Sequence, residues 1–174
     1  GTEETTGRFI KGVLITKEAG AVKNSAGFIQ PAVTLTTTKV QHSCPVVIDA
    51  DGLRLLAKIP DWSKSILHPM VLTPHPGEMS GLTGLSVEEI QKDRVEICRH
   101  YALEWKQVVV LKGALTVVAS PEGQVAICPV ASSALAKAGS GDLLSGLIAG
   151  LVSQGVDLFA AAMAGVWLHG MAGI

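Results

Sequence analysis

In Lys137-Ala138-Gly139-Ser140-Gly141-Asp142-Leu143-Leu144-Ser145-Gly146, small residues and one carboxylate stand where an irregular stretch gives way to an apolar helical pattern. Glycines let the backbone bend and approach a ligand closely. The unpaired N–H groups of a first helical turn then face that ligand, and with the helix dipole they favour phosphate. Asp142 adds something that phosphate binding alone does not need. A carboxylate beside a transferring phosphoryl group can accept the proton of an attacking hydroxyl. An ordinary glycine-rich loop, with Asp142 as a favourable charge at a helix N-terminus, fits the local pattern too.

Three further segments hold residues able to do chemistry. Asp49-Ala50-Asp51-Gly52 follows a short apolar run; Asp49 suits polar contact with a substrate or with hydrated magnesium, while Asp51 is better read as the cap of the next helix. In Pro74-His75-Pro76-Gly77-Glu78 two prolines fix the backbone on either side of His75, making a rigid polar wall for a substrate, and Glu78 favours the start of the following turn. Lys112-Gly113-Ala114-Leu115-Thr116 puts a cation after another apolar run, where it either reaches nucleotide phosphate or ribose or is solvated at a turn. Each of these three follows an expected strand, and the fourth opens a helix. A parallel sheet brings its strand ends to one edge, where open α/β sheets bind ligands.

The elements that must do this positioning are legible from pattern. Residues 2–14 read as a helix capped by Thr2, and residues 15–43, rich in Thr, Ala, Gly and Val, as an irregular segment or insertion with weak helix. Strands are expected at 45–49, 70–72 and 108–111, where short continuous apolar runs suit burial on both faces. A helix is expected over 51–58. Ser86-Val87-Glu88-Glu89 forms a capping box opening an amphipathic helix to about Trp105. Residues 115–119 and 124–128 flank Pro121-Glu122-Gly123 as a hairpin, and apolar helices follow over 143–152 and 158–168. Gly146 and Gly150 read as permitting close helix packing, and Cys128 and the tryptophans as packing residues. The alternation predicts an α/β fold with a mainly parallel sheet flanked by helices on both faces.

Composition narrows the function classes. With 48% hydrophobic and 17% charged residues over 174 positions, the chain can bury a core as one domain. A formal net charge of −1 without a Lys/Arg block gives no nucleic-acid footprint. The apolar helices are shorter than the roughly 18–20 residues a membrane span requires. Cys44, Cys98 and Cys128 are too sparse for a disulfide framework or a zinc site, and a cytoplasmic location is expected. The chain opens on Gly1 and closes within an apolar helical pattern, so both ends are expected to be cut.

Val46-Val47-Ile48-Asp49-Ala50-Asp51-Gly52-Leu53, Leu72-Thr73-Pro74-His75-Pro76-Gly77-Glu78-Met79, Val110-Leu111-Lys112-Gly113-Ala114 and Ala138-Gly139-Ser140-Gly141-Asp142 occur in that order over residues 45–174, about three quarters of the chain. Together they resemble the signature segments of the ADP/ATP-dependent NAD(P)H-hydrate dehydratases, repair enzymes with a ribokinase-like fold. The resemblance implies magnesium-supported phosphorylation of the hydroxyl of hydrated NADH or NADPH by ADP or ATP, then loss of phosphate. Asp142 would be the base. The turn N–H groups at Ser140 and Gly141, with Gly139 beside them, would hold the transferring phosphoryl. His75 and Asp142 match positions that contact the hydrated cofactor, and Asp49 is a further candidate there. Lys112, Gly113, Ala114, Leu115, Thr116 and Gly141 match positions that contact adenine nucleotide. The Pro-His-Pro-Gly-Glu form is similar to that of the branch using ADP. Ala138 stands where the family commonly has Gly, and residues 15–43 exceed the family's usual connection. Gly1 matches the last glycine of a Gly-Leu-Gly loop that also touches substrate, which implies an N-terminally truncated domain. A homo-oligomer and an epimerase domain upstream are expected with it. A related small-molecule or vitamin-precursor kinase, and an inactive nucleotide-binding fragment, are the alternatives.

Overall fold

The computed structural model describes residues 44–66 and 68–174, with residues 5, 7, 8, 12 and 14. Those five are helical, in keeping with the helix expected over 2–14; Gly1 and the segment 15–43 lie outside the described residues.

Apolar, largely β-branched runs form the strands. β1 (Val46–Ile48), β2 (Met70–Leu72) and β3 (Val108–Leu111) are parallel, and β4 (Val117–Ala119) and β5 (Val125–Ile127) continue the sheet as an antiparallel hairpin in the order β1-β2-β3-β4-β5. Alternation along each strand divides the core into two layers. Met70, Leu72, Val109, Leu111, Val117 and Ala119 point to one, with Leu53, Leu56, Met79, Ile90 and Trp105; Val71, Val108, Val110 and Val118 point to the other, with Leu144, Ile148, Ala162 and Val166. Burial on both faces explains why these strands read as unbroken apolar runs. Each such side chain contributes about 1.5–3 kcal/mol when fully buried.

The helices are α1 (Asp51–Leu56), the single turn α2 (Trp62–Ser65), α3 (Pro76–Thr83), α4 (Val87–Lys92), α5 (Arg94–Trp105), α6 (Ser140–Ser153) and α7 (Leu158–Met171). Four expectations are corrected. The helix expected from Ser86 to Trp105 is two helices, α4 and α5. The Ser86 capping box holds, but Asp93 leaves helical geometry (φ −143°, ψ 60°) and its side chain accepts from Glu96 N at 3.4 Å, beginning α5 anew. The segment after Pro74, read as a rigid loop, turns into α3 and ends at Gly84 in the left-handed region (φ 78°). Asp51 does not cap α1: Ala50 holds that position (φ 48°) and makes no side-chain cap, while Asp51 sits in the first turn 3.4 Å from Arg54. Finally, α6 and α7 do not meet through Gly146 and Gly150, beside which a Cβ would find open space. They meet at Gly165, where a Cβ would lie 2.7 Å from Ile148 Cγ1.

Candidate functional site

β1, β2 and β3 deliver Asp49, the His75 segment and Lys112 to the same edge of the sheet. Thr73 N donates to Ile48 O at 3.2 Å and Lys112 N to Pro74 O at 2.8 Å, so backbone bonds carry the alignment past the strand ends. Lys112 Nζ then lies 2.6 Å from Asp49 Oδ1 and 3.7 Å from Glu78 Oε2, with the three side chains only 19%, 12% and 8% exposed. The reading of Lys112 as a solvated turn residue is therefore set aside.

Asp49 is the centre of this network. Its carboxylate also accepts from Ser145 Oγ at 2.6 Å and from Ala50 N at 2.8 Å. Burial by itself would raise the Asp49 carboxyl; the hydrogen bond and charge of Lys112, with the Ser145 and Ala50 donors, outweigh it and hold the group below its ordinary value. Ser145 also lies 3.1 Å from Gly141 O, tying the β1 end to the first turn of α6. Lys112 Nζ and Asp49 Oδ2 stand 3.5 and 3.6 Å from where a Cβ of Gly141 would be, so the bare glycine leaves the pair open at the helix N-terminus.

His75 is the N-cap of α3. Its Nδ1 accepts from Gly77 N at 3.0 Å and Glu78 N at 3.2 Å, and Glu78 Oε2 accepts from His75 N at 2.8 Å. An Nδ1 that accepts leaves the ring proton on Nε2, which is 3.4 Å from Glu78 Oε1. Glu78 thus links His75 to Lys112. The His75 ring is 56% exposed and borders a groove with Ala50, Gly77, Gly81, Arg54 and Lys58.

On the other side of the β3 end lies a cavity of about 450 Å3. Of the residues expected at a nucleotide, Lys112, Gly113, Ala114, Thr116, Ser140 and Gly141 line it. Leu115 (φ 57°) and Gly139 (φ 86°) are not on that wall: the first turns outward, 48% exposed, and the second is the left-handed N-cap that launches α6. Asp142 occupies the first turn of α6, exposed, with no hydrogen bond or ion pair among the described residues.

Two residues of this arrangement escaped the sequence reading. Ser145 belongs to the glycine-rich turn by spacing, but its role depends on Asp49, 96 positions away. Arg94, at the start of α5, donates to Leu111 O at 2.9 Å and Lys112 O at 3.2 Å, and its guanidinium nitrogens lie 2.9 Å from a Cβ built at Gly113. It clamps the Lys112 loop from behind; no local motif announces it.

A model of the NAD(P)H-hydrate dehydratase family matches residues 26–174. This chain belongs to that family. The NAD(P)H-hydrate dehydratase fold is ribokinase-like, as in a ribokinase-like superfamily protein of Enterococcus faecalis (24% identity, TM-score 0.61, 72% of this chain and 42% of that one). The chain is 51% identical over 129 residues to a bifunctional NAD(P)H-hydrate repair enzyme of Moorella thermoacetica, covering 74% of its own length and 24% of the relative's. It is similar to the ADP/ATP-dependent NAD(P)H-hydrate dehydratase of Bacillus subtilis, crystallised with ATP and Mg2+, at 42% identity and TM-score 0.65, covering 74% of this chain and 44% of that one. The family segment described here thus spans less than half the length of these relatives.

Proposed function

We propose that this chain is the C-terminal part of a single ribokinase-like dehydratase domain that repairs hydrated NADH or NADPH with ADP or ATP. The observation that carries the reading is the free Asp142 carboxylate on the same helical turn as Ser140 and Gly141, which border a nucleotide-sized cavity beside Lys112. Ligand cavities run from about 300 to 1,000 Å3, and this one lies in that range. Phosphate fits the α6 N-terminus and Lys112. Lys112, Gly113, Ala114 and Thr116 border the nucleotide on one side, and Ser140 and Gly141 on the other. His75, whose ring is largely exposed at the α3 cap, is the proposed contact for the hydrated nicotinamide; Asp49 acts through Lys112 and Ser145, as a positioning residue.

The chemistry follows from the leaving group. Hydroxide leaves carbon poorly, whereas phosphate leaves well. Asp142 accepts the proton of the hydrate hydroxyl as its oxygen attacks the terminal phosphorus, breaking the bridging P–O bond and releasing AMP from ADP or ADP from ATP. The N–H groups of Ser140 and Gly141 offset charge on the transferring oxygens. Loss of that phosphate, together with a proton from the adjacent ring carbon to solvent, then leaves the unsaturated ring of the reduced cofactor. A magnesium ion would be carried chiefly by the nucleotide phosphates. Bound there, magnesium supplies charge neutralisation.

The Bacillus relative's nucleotide and the Moorella relative's bifunctional name support the donor and a second, epimerase activity in the longer protein. No helix of the described residues is long and apolar enough to cross a membrane, and free Cys44, Cys98 and Cys128 fit a reducing, cytoplasmic setting. The test uses the full-length protein with hydrated NADH, Mg2+ and ADP or ATP. Recovery of NADH absorbance is expected; no recovery with either nucleotide refutes the proposal. A stable phosphorylated product after one turnover would favour a kinase instead.

A further inference from the structure

The groove bordered by the His75 ring shares no lining residue with the cavity beside Lys112, and at about 690 Å3 it is the larger of the two. It lies between α1 and α3. On the α3 side Gly77 and Gly81, one turn apart, give it a wall of bare backbone; on the α1 side Ala50 and Ala57 are nearly as small. A Cβ at Gly81 would meet nothing within 4 Å, so the space beside it is open.

Two cations border this small-residue groove. Arg54 lies in α1 and Lys58 in the turn that follows it, four positions on, a spacing that places both on one face. The Lys58 ammonium makes no hydrogen bond or ion pair among the described residues. Arg54 is held by Asp51 alone, at 3.4 Å, with the two side chains 72% and 82% exposed. So exposed a pair holds weakly, and its guanidinium is available to a stronger anion. Glu78, the other carboxylate of the groove, is 8% exposed and engaged with His75 and Lys112. The charge that the groove offers a ligand is therefore positive.

We propose that Arg54 and Lys58 hold a phosphate of the dinucleotide substrate. The inference rests on the reading of His75 as the contact for the hydrated nicotinamide and extends that site along the groove. Beyond its nicotinamide ring a reduced cofactor is an anion: both forms carry a pyrophosphate, and NADPH carries a 2′-phosphate as well. With the ring at His75, the rest of the molecule leaves over Gly77 and Gly81, where larger side chains would obstruct it, and its phosphate meets the two cations. Charge-assisted hydrogen bonds from Arg and Lys are the strong ones for that group. The groove thereby selects a whole dinucleotide over a bare hydrated nicotinamide, a choice in which the cavity beside Lys112 takes no part.

The experiment uses the full-length protein with Mg2+ and varies hydrated NADH, hydrated NADPH and ADP in turn, reading KM and kcat separately. In the double variant Arg54→Gln with Lys58→Gln, KM for the hydrates is expected to rise about tenfold, with kcat and the KM for ADP unmoved. The charge-keeping pair Arg54→Lys with Lys58→Arg is expected to stay within about threefold of wild type. An equal rise for the two hydrates assigns the cations to the pyrophosphate; a larger rise for hydrated NADPH assigns them to the 2′-phosphate. Gly81→Leu, which fills open space, is expected to raise the same KM and to leave that for ADP alone. Unchanged KM for both hydrates in the double variant, or an equal rise in the KM for ADP, overturns the inference while the dehydratase reading stands. A wild-type protein that recovers no NADH with either nucleotide overturns both.

Discussion

Replacing Asp49 by Asn tests whether one largely buried carboxylate organises the edge of the sheet. The carboxylate takes three donors: Lys112 Nζ at 2.6 Å, Ser145 Oγ at 2.6 Å and Ala50 N at 2.8 Å. Asn keeps one acceptor oxygen but no charge, so Lys112 loses its counter-ion, and Ser145 must turn to accept from the amide while donating to Gly141 O. A hydrogen bond to a charged group contributes about 1.5–3 kcal/mol. For a protein of this size class that corresponds to a fall in Tm of roughly 3–12 °C. The sign with pH follows from the depressed Asp49 carboxyl. A group whose folded value lies below its ordinary 3.8 contributes stability above that pH and loses it as pH falls through the lower folded value. The gap between wild type and Asp49→Asn is therefore expected to be full at pH 7 and to narrow below about pH 4. Thermal unfolding of both proteins across that range measures it. A gap that stays constant down to pH 3 would refute the ion-pair account and assign the loss to packing.

Asp142→Asn is expected to lower kcat by about 10²–10⁴-fold with nucleotide affinity retained, read by NADH recovery and ADP titration; a fully active variant removes Asp142 as the base. Arg94→Met, which releases Leu111 O and Lys112 O, is expected to raise KM for nucleotide about five- to tenfold with little change in kcat. Gly165→Ala is expected to cost about 1–3 kcal/mol in thermal or denaturant unfolding, and to cost less in an Ile148→Ala background, where the clashing Cγ1 is gone. Gly146→Ala and Gly150→Ala, with open space around them, should instead stabilise by about 0.5–1 kcal/mol. In the native protein a thiol reagent should label exposed Cys44 and leave Cys98 untouched, because burial pushes the Cys98 thiol up to about 12; labelling of Cys98 without unfolding would contradict its place in the core.

The strands were legible because burial on both faces leaves an unbroken apolar run, and Met70, Val71 and Leu72 are all fully buried. Their parallel pairing then placed Asp49, His75 and Lys112 along one edge without any contact being known. What the sequence concealed depended on partners far away or on residue types in unusual roles. His75 caps a helix, a task more often given to Ser, Thr, Asp or Asn, so α3 went unseen. Glu78, read as a helix-start charge, also bridges two site residues. Asp93 breaks a helix whose apolar pattern runs straight through it. Gly146 and Gly150 carry the spacing associated with tight packing, but only the facing helix decides which glycine is met, and Ile148 meets Gly165.

That last contact sets a length. α6 begins at Ser140 and Gly141, and α7 carries Val166 and Gly170, all of them in the wall of the cavity beside Lys112. With Ile148 seated where Gly165 lacks a side chain, neither helix can slide along the other without a collision. The distance between these two parts of the wall is therefore a fixed gauge, ruled by an absent methyl group. On the proposed nucleotide reading of the cavity, a diphosphate and a triphosphate are accommodated by how the ligand folds within that span, so a choice between them becomes a matter of ligand shape and not of helix movement.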